Sequence, residues 1–91
     1  MSGSYRVHIV HSAARAIAEA AEWWVANRIK APEAFSEELA RAFQLLASQP
    51  AIGAQARNVK LVGVRRVHLQ RIHYYLYYRV RANTDTVEVL A

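Results

Sequence analysis

An α+β domain, with an antiparallel sheet packed against an α-helical hairpin in the order β-α-α-β-β-β, is what this 91-residue chain predicts. Three observations carry the prediction. Apolar residues alternate at Tyr5–Val10 and again from Val64 onward, the period of a half-buried strand. Two consecutive stretches between them repeat at helical spacing. The hydrophobic content of 54% suffices for one two-layer core and makes a disordered chain unexpected. A chain of this length has room for a single domain, residues 1–91, with the small polar residues 1–4 read as a cloning remnant.

The elements follow in order. Tyr5, Val7 and Ile9 share one side of a first strand; Arg6, His8 and Val10 share the other. Ser12 is placed to cap an alanine-rich helix in which Ile17, Ala21, Trp24 and Val25 recur at i, i+4, i+7 and i+8. Pro32 suits the first position of a second helix, whose stripe is Phe35, Leu39, Ala42, Phe43 and Leu46. Glu33, Glu37 and Glu38 fall in its early turns, where carboxylates favour the helix dipole. The short connection Arg28–Ala31 makes the two helices antiparallel neighbours, and Gln49-Pro50 ends the second. From Ala51 to Val62 there is a loop with Gly53 and no period. Gly63 introduces a strand at Val64–Leu69, His68 and His73 flank the next turn, and Asn83, Thr84 and Asp85 turn the chain into a last strand at Thr86–Ala91.

Between the two turns lies HYYLYYRV, His73–Val80, with four tyrosines in five positions. Alternation divides it. Ile72, Tyr74, Leu76, Tyr78 and Val80 form a core face, with two hydroxyls in need of partners. Arg71, His73, Tyr75, Tyr77, Arg79 and Arg81 form a mixed basic and aromatic face suited to contact. In the preceding strand Arg65 and Arg66 point to opposite sides, so one is exposed and the other must find an acceptor; parity leaves open which. Trp24 follows the helical stripe, whereas Trp23 is one position off it and either covers the hairpin's flank or offers its ring to a partner.

Charge and composition narrow the function. Residues 1–50 carry five Lys or Arg against five Glu, while residues 51–91 carry seven against Asp85 and Glu88, so the whole net charge of +5 belongs to the second half. That asymmetry points to an anionic partner, against the plainer reading of a surface that is merely basic. With no cysteine, disulfide scaffolds and thiolate zinc sites are excluded. No apolar run reaches the ~20 residues a bilayer requires, and a cytoplasmic protein is expected. His8, His11, His68 and His73 lack carboxylate or thiolate companions, so no metal and no cofactor is expected. The serines and threonines sit mostly at caps and turns, which speaks against a nucleophilic triad. General acid–base cleavage of RNA has one candidate set, His73, Tyr75, Tyr77, Arg79 and Arg81; exposed strand residues, among which tyrosine is favoured, are the plainer account of it.

The order of elements, with LASQPAIG, GVRRVHL, HYYLYYRV and TVEVLA at this spacing, resembles the ParE branch of the RelE/ParE toxin superfamily over residues 5–91. The resemblance implies the fold derived above and a cytoplasmic toxin of a plasmid-borne or chromosomal toxin–antitoxin module, with plasmid stabilization as the role of the former. It further implies neutralisation by a ParD-like antitoxin whose disordered C-terminal part folds onto the toxin. ParE-type members inhibit DNA gyrase by trapping its cleaved-DNA complex and are not enzymes, whereas RelE-type members cut messenger RNA on the ribosome. The RNA-cleaving branch carries several lysines and a tyrosine near the C-terminus; here the lysines are Lys30 and Lys60, and no tyrosine follows Tyr78, which favours gyrase. On this reading Arg65, Arg66, Arg79, Arg81, Tyr75 and Tyr77 contact the target. Trp23, Arg71, His73, Tyr75 and Tyr77 contact the antitoxin, and direct nucleic-acid binding is not expected. Relatives continue past the last strand with a Trp-His or similar pair and a terminal arginine. A shortened toxin that binds antitoxin without toxicity is therefore a third expectation, beside gyrase inhibition and ribosome-dependent cleavage.

Overall fold

A computed structural model describes residues 4–57 and 60–91; the remaining residues of the leading segment and of the Ala51–Val62 loop lie outside the described residues. Strand β1 (Arg6–Ile9) leads into helices α1 (His11–Asn27) and α2 (Ala34–Ser48), and strands β2 (Ala54–Gln55), β3 (Val64–Leu69), β4 (Tyr74–Arg81) and β5 (Thr86–Val89) follow. The sheet order is β1-β5-β4-β3-β2. The strands β2, β3, β4 and β5 pair antiparallel, but β1 runs parallel to β5, so the sheet is mixed rather than wholly antiparallel. A parallel pair needs a long connection, and everything between β1 and β5 supplies one.

The core lies between the helices and one face of the sheet. Leu46, Leu76, Tyr78, Val87 and Val89 are its largest fully buried side chains, joined by Phe35, Leu39, Ile72 and Trp24. The faces expected for α2 and for Ile72–Val80 are those observed. Phe35 meets Tyr74 edge-on at 5.3 Å between ring centroids, a favoured aromatic geometry. Trp24 Nε1 donates to the carbonyl of Ala31 at 2.8 Å, which satisfies a buried indole and ties α1 to the connection that precedes α2. The two turns of the β3–β4–β5 meander share one construction. Each is a single 3-10 turn, Gln70–Ile72 or Ala82–Thr84, closed by a left-handed residue, His73 (φ 52°) or Asp85 (φ 49°). Asp and His are among the few non-glycine types that enter that region readily.

Four local expectations are corrected. α1 begins at His11 with Val10 at the cap position, so Ser12 lies inside the first turn and caps nothing. Val25 is exposed, because α1 meets the core over a narrower stripe centred on Ala13 and Trp24. Pro32 falls in the turn before α2, which starts two residues later. The aperiodic loop contains β2, whose two exposed residues offer no pattern to read and are held only by pairing with Arg65 and Arg66.

Candidate functional site

The sheet has a second face that the helices do not cover. Side chains directly opposite one another across a ladder point the same way, so the pairs Arg66↔Tyr77, His68↔Tyr75, Val64↔Arg79 and Arg79↔Glu88 define it. The parallel pairs Arg6↔Thr86 and His8↔Glu88 add two residues of the first strand. The open face thus gathers Arg6, Arg66, Arg79 and Arg81 with His8, His68, Tyr75 and Tyr77 around a single carboxylate, Glu88.

Its side chains hold one another. Glu88 Oε1 accepts hydrogen bonds from Arg79 Nη2 at 2.8 Å and Nε at 3.3 Å, and Arg81 Nε stands 3.5 Å away. The hydrogen bond from Arg79 holds the Glu88 carboxyl below the usual glutamate range, burial opposes this, and the positive charge of both arginines supports it. The Arg66 guanidinium lies 4.9 Å from the centroid of the Tyr75 ring. The His68 ring stacks on the same tyrosine at 4.3 Å, with 18° between planes. Beyond Val89 the last strand bulges: the N–H groups of Leu90 and Ala91 both donate to the carbonyl of Tyr77, at 2.8 and 3.3 Å, so two residues oppose one. Leu90 then joins Leu61, Val64 and Tyr77 around a shallow apolar hollow at this edge of the face.

Arg65 does not share this surface. It lies on the helix side of β3, where Nη1 donates to the carbonyl of Gly53 at 2.7 Å. The N–H of Gly53 donates to the buried hydroxyl of Tyr78 at 2.8 Å. Burial pushes the Tyr78 phenol above its ordinary value, against the opposing pull of the Gly53 N–H and of Arg65. A Cβ at Gly53 would lie 2.6 Å from that hydroxyl and 2.8 Å from the carbonyl oxygen of Arg66. Glycine is therefore required by close approach, not by backbone angle. Three of the stretches singled out in the sequence, QPAIG, GVRR and YYRV, meet at this one clamp.

The residues expected to meet an antitoxin divide between two places. Tyr75 and Tyr77 belong to the open face. Trp23 and His73 line a groove of about 320 Å³ where the end of α1 approaches the β3–β4 turn, with Ala20, Arg28, Ile72 and Tyr74. Arg28 lies 5.6 Å from the Trp23 and Trp24 rings. Arg71 reaches Glu37 at 3.3 Å and Glu38 at 3.5 Å on α2 instead. The set considered for RNA cleavage is likewise spread. His73 sits in the turn at one end of β4, and Arg79 and Arg81 are held by Glu88 at the other, about 20 Å away for six residues of strand. Arg6, His8 and Glu88 were missed as site residues, and so was His68, which the sequence placed only at a turn. Their alternation was legible, but nothing in it told which strand lies beside β1. Among the described residues no group of three or more His, Asp or Glu is arranged to hold a metal ion, and no helix is long and apolar enough to cross a membrane.

The model of one protein family, the ParE toxin of type II toxin–antitoxin systems (parDE), matches residues 7–91. The chain belongs to the ParE toxin family. No curated protein and no solved structure matches the chain. As a ParE toxin it is one half of a type II pair, and an antitoxin partner follows from that membership. The order of strands and helices fits the RelE/ParE fold, with β2 added to the expected arrangement.

Proposed function

We propose that this ParE toxin acts in the cytoplasm by binding and inhibiting DNA gyrase, without catalysis of its own, and that a ParD-like antitoxin neutralises it. The observation that supports binding over cleavage is the spread of the titratable set. An acid–base pair must reach one scissile phosphate within hydrogen-bond range, and His73 is about 20 Å along β4 from the Arg79–Glu88 pair. The open face presents instead a field of guanidiniums held by ion pairing and ring contact, an arrangement made to bind. Arg66, Arg79, Arg81, Tyr75 and Tyr77 are its contacts with the complex of gyrase and DNA. Arg65, engaged by Gly53, acts as a structural residue.

The antitoxin contacts are assigned to the groove beside Trp23. That indole is more than half exposed, and the adjoining α1–α2 connection exposes Ile29 as well. An apolar floor with Arg28 and His73 at its rim suits an amphipathic, acidic segment. Incubation with gyrase, ATP and supercoiled plasmid, followed by denaturation of the enzyme, tests the target. Linear plasmid is expected. Its absence, together with cleavage of ribosome-bound messenger RNA, would replace this reading with a RelE-type one. Trp23→Ala is expected to weaken antitoxin binding by tenfold or more while leaving linear plasmid unchanged, in line with the roughly 2 kcal/mol of a central aromatic contact.

A further inference from the structure

The exposed apolar side chains lie mostly away from the middle of the open face, with Leu61 at its edge. Among the described residues the exposed large hydrophobics are Trp23, Val25, Ile29, Ile52, Leu61, Val62 and Tyr75. Of these only Tyr75 lies in a strand of the open face, and its ring already carries His68 and Arg66. Protein interfaces bury an apolar centre with charge at the rim. The open face is closer to the reverse, four arginines, two histidines and two tyrosines around one glutamate. From β1 to β3 the arginines span three strand spacings, about 14 Å, comparable with the width of a nucleic-acid groove.

We infer that the open face binds the phosphate backbone of duplex DNA directly, with Arg6, Arg66, Arg79 and Arg81 as the contacts and Glu88 as the residue that positions Arg79 and Arg81 and tempers their charge. This rests on the gyrase reading for its biological setting, since gyrase holds a duplex, and it reverses the expectation that the toxin does not touch nucleic acid. Three features favour backbone over bases. The cations are guanidiniums, which grip phosphate with two donors. Arg66 and Arg79 are pre-oriented by Tyr75 and by Glu88. The most exposed ring on the face, Tyr75, already carries His68 and Arg66, which disfavours it as a platform for stacking a base, as single-strand binders require. Contact of this kind carries no sequence preference.

The test is fluorescence anisotropy of a labelled mixed-sequence duplex titrated with the intact protein, without gyrase, across a salt series. Four phosphate contacts predict a slope near −3.6 in log K against log salt, about a hundredfold loss between about 50 and 200 mM. Arg66→Ala and Arg79→Ala should each lower that slope by about 0.9. Glu88→Gln should tighten binding severalfold, a change that misfolding cannot mimic. Arg41→Ala removes the same charge from an exposed position on α2, in the helix layer that covers the other face of the sheet, and should leave binding within about twofold. Absence of duplex binding at the lowest salt would overturn the inference. So would equal losses for Arg41→Ala and Arg79→Ala, or tighter binding of single strands than of duplex. Because gyrase is left out, the outcome is independent of the plasmid assay. Duplex binding without linear plasmid would sink the gyrase reading alone; linear plasmid without duplex binding would sink this one alone.

Discussion

The two faces of one sheet are built from the same strands and by opposite rules. On the helix side the buried polar groups are answered: the Tyr78 hydroxyl and Gly53 N–H satisfy each other, Arg65 takes the Gly53 carbonyl, and no buried side-chain polar atom among the described residues is left alone. On the open side two of the four arginines, Arg79 and Arg81, reach one carboxylate, Glu88, and Arg66 lies over the Tyr75 ring. The first arrangement minimises the cost of burial and serves the fold. The second leaves charge unanswered, which contributes little to stability and much to attraction of an anion. Arg65 and Arg66 show how small a change separates the roles. They are neighbours in sequence, one on each face, and only one is available to a partner.

Substitutions sharpen the contrast, and the largest effects belong to the covered side. Leu46→Ala empties a fully buried site on α2 and should cost about 2–5 kcal/mol. In a domain of this size that lowers the thermal midpoint by about 4–8 °C for each kcal/mol. Gly53→Ala places a methyl group against the Tyr78 hydroxyl and the Arg66 backbone, and about 1–3 kcal/mol is expected from the overpacking. Tyr78→Phe removes the acceptor of the Gly53 N–H, at a similar cost of about 1–3 kcal/mol for an orphaned buried donor. A midpoint unchanged in either clamp variant would show that the three motif stretches do not depend on one another.

Acid should touch the open side first. The folded-state pKa of Glu88 lies below its ordinary value of 4.5, so the unfolded chain takes up this proton at a higher pH than the folded one. Stability from Glu88 is complete above that ordinary value and is lost as pH falls through the depressed one. Melting curves taken down through this window should therefore show a decline that Glu88→Gln removes. An identical decline in both proteins would mean that Arg79 and Arg81 do not hold the carboxylate. At the alkaline end the sign is opposite. The raised pKa of Tyr78 keeps its proton on in the fold, so its contribution is intact below 10.0 and lost as pH rises through the higher folded value.

Much of the covered face was legible in the sequence because it obeys local periods. Phe35, Leu39, Ala42 and Leu46 fall on one stripe of α2, and Tyr74, Leu76, Tyr78 and Val80 on one side of β4, by spacing alone. The clamp was not legible. Gly53 lies 25 residues from Tyr78, and β2 is two residues of exposed chain with no alternation to betray it. The open face was legible by halves. Residues of β3 and β4 could be sorted by parity, but a parity rule does not say that β1 lies beside β5, and so Arg6 and His8 went unassigned. Ser12 failed as a cap for a similar reason. The helix start is set by where β1 leaves the sheet, Val10 N–H donating to the Val89 carbonyl, not by the nearest capping side chain.

The open face is proposed to serve the target and not the fold. Its most direct test is the double variant Arg79→Ala with Arg81→Ala, assayed for linear plasmid with gyrase and, on the same sample, for its thermal midpoint. Partly exposed ion pairs are worth about 1 kcal/mol or less each, so losing both should lower the midpoint by no more than about 8–16 °C. Loss of linear plasmid is expected with it. Full production of linear plasmid by the folded double variant, or a loss seen only where the protein has unfolded, would contradict it.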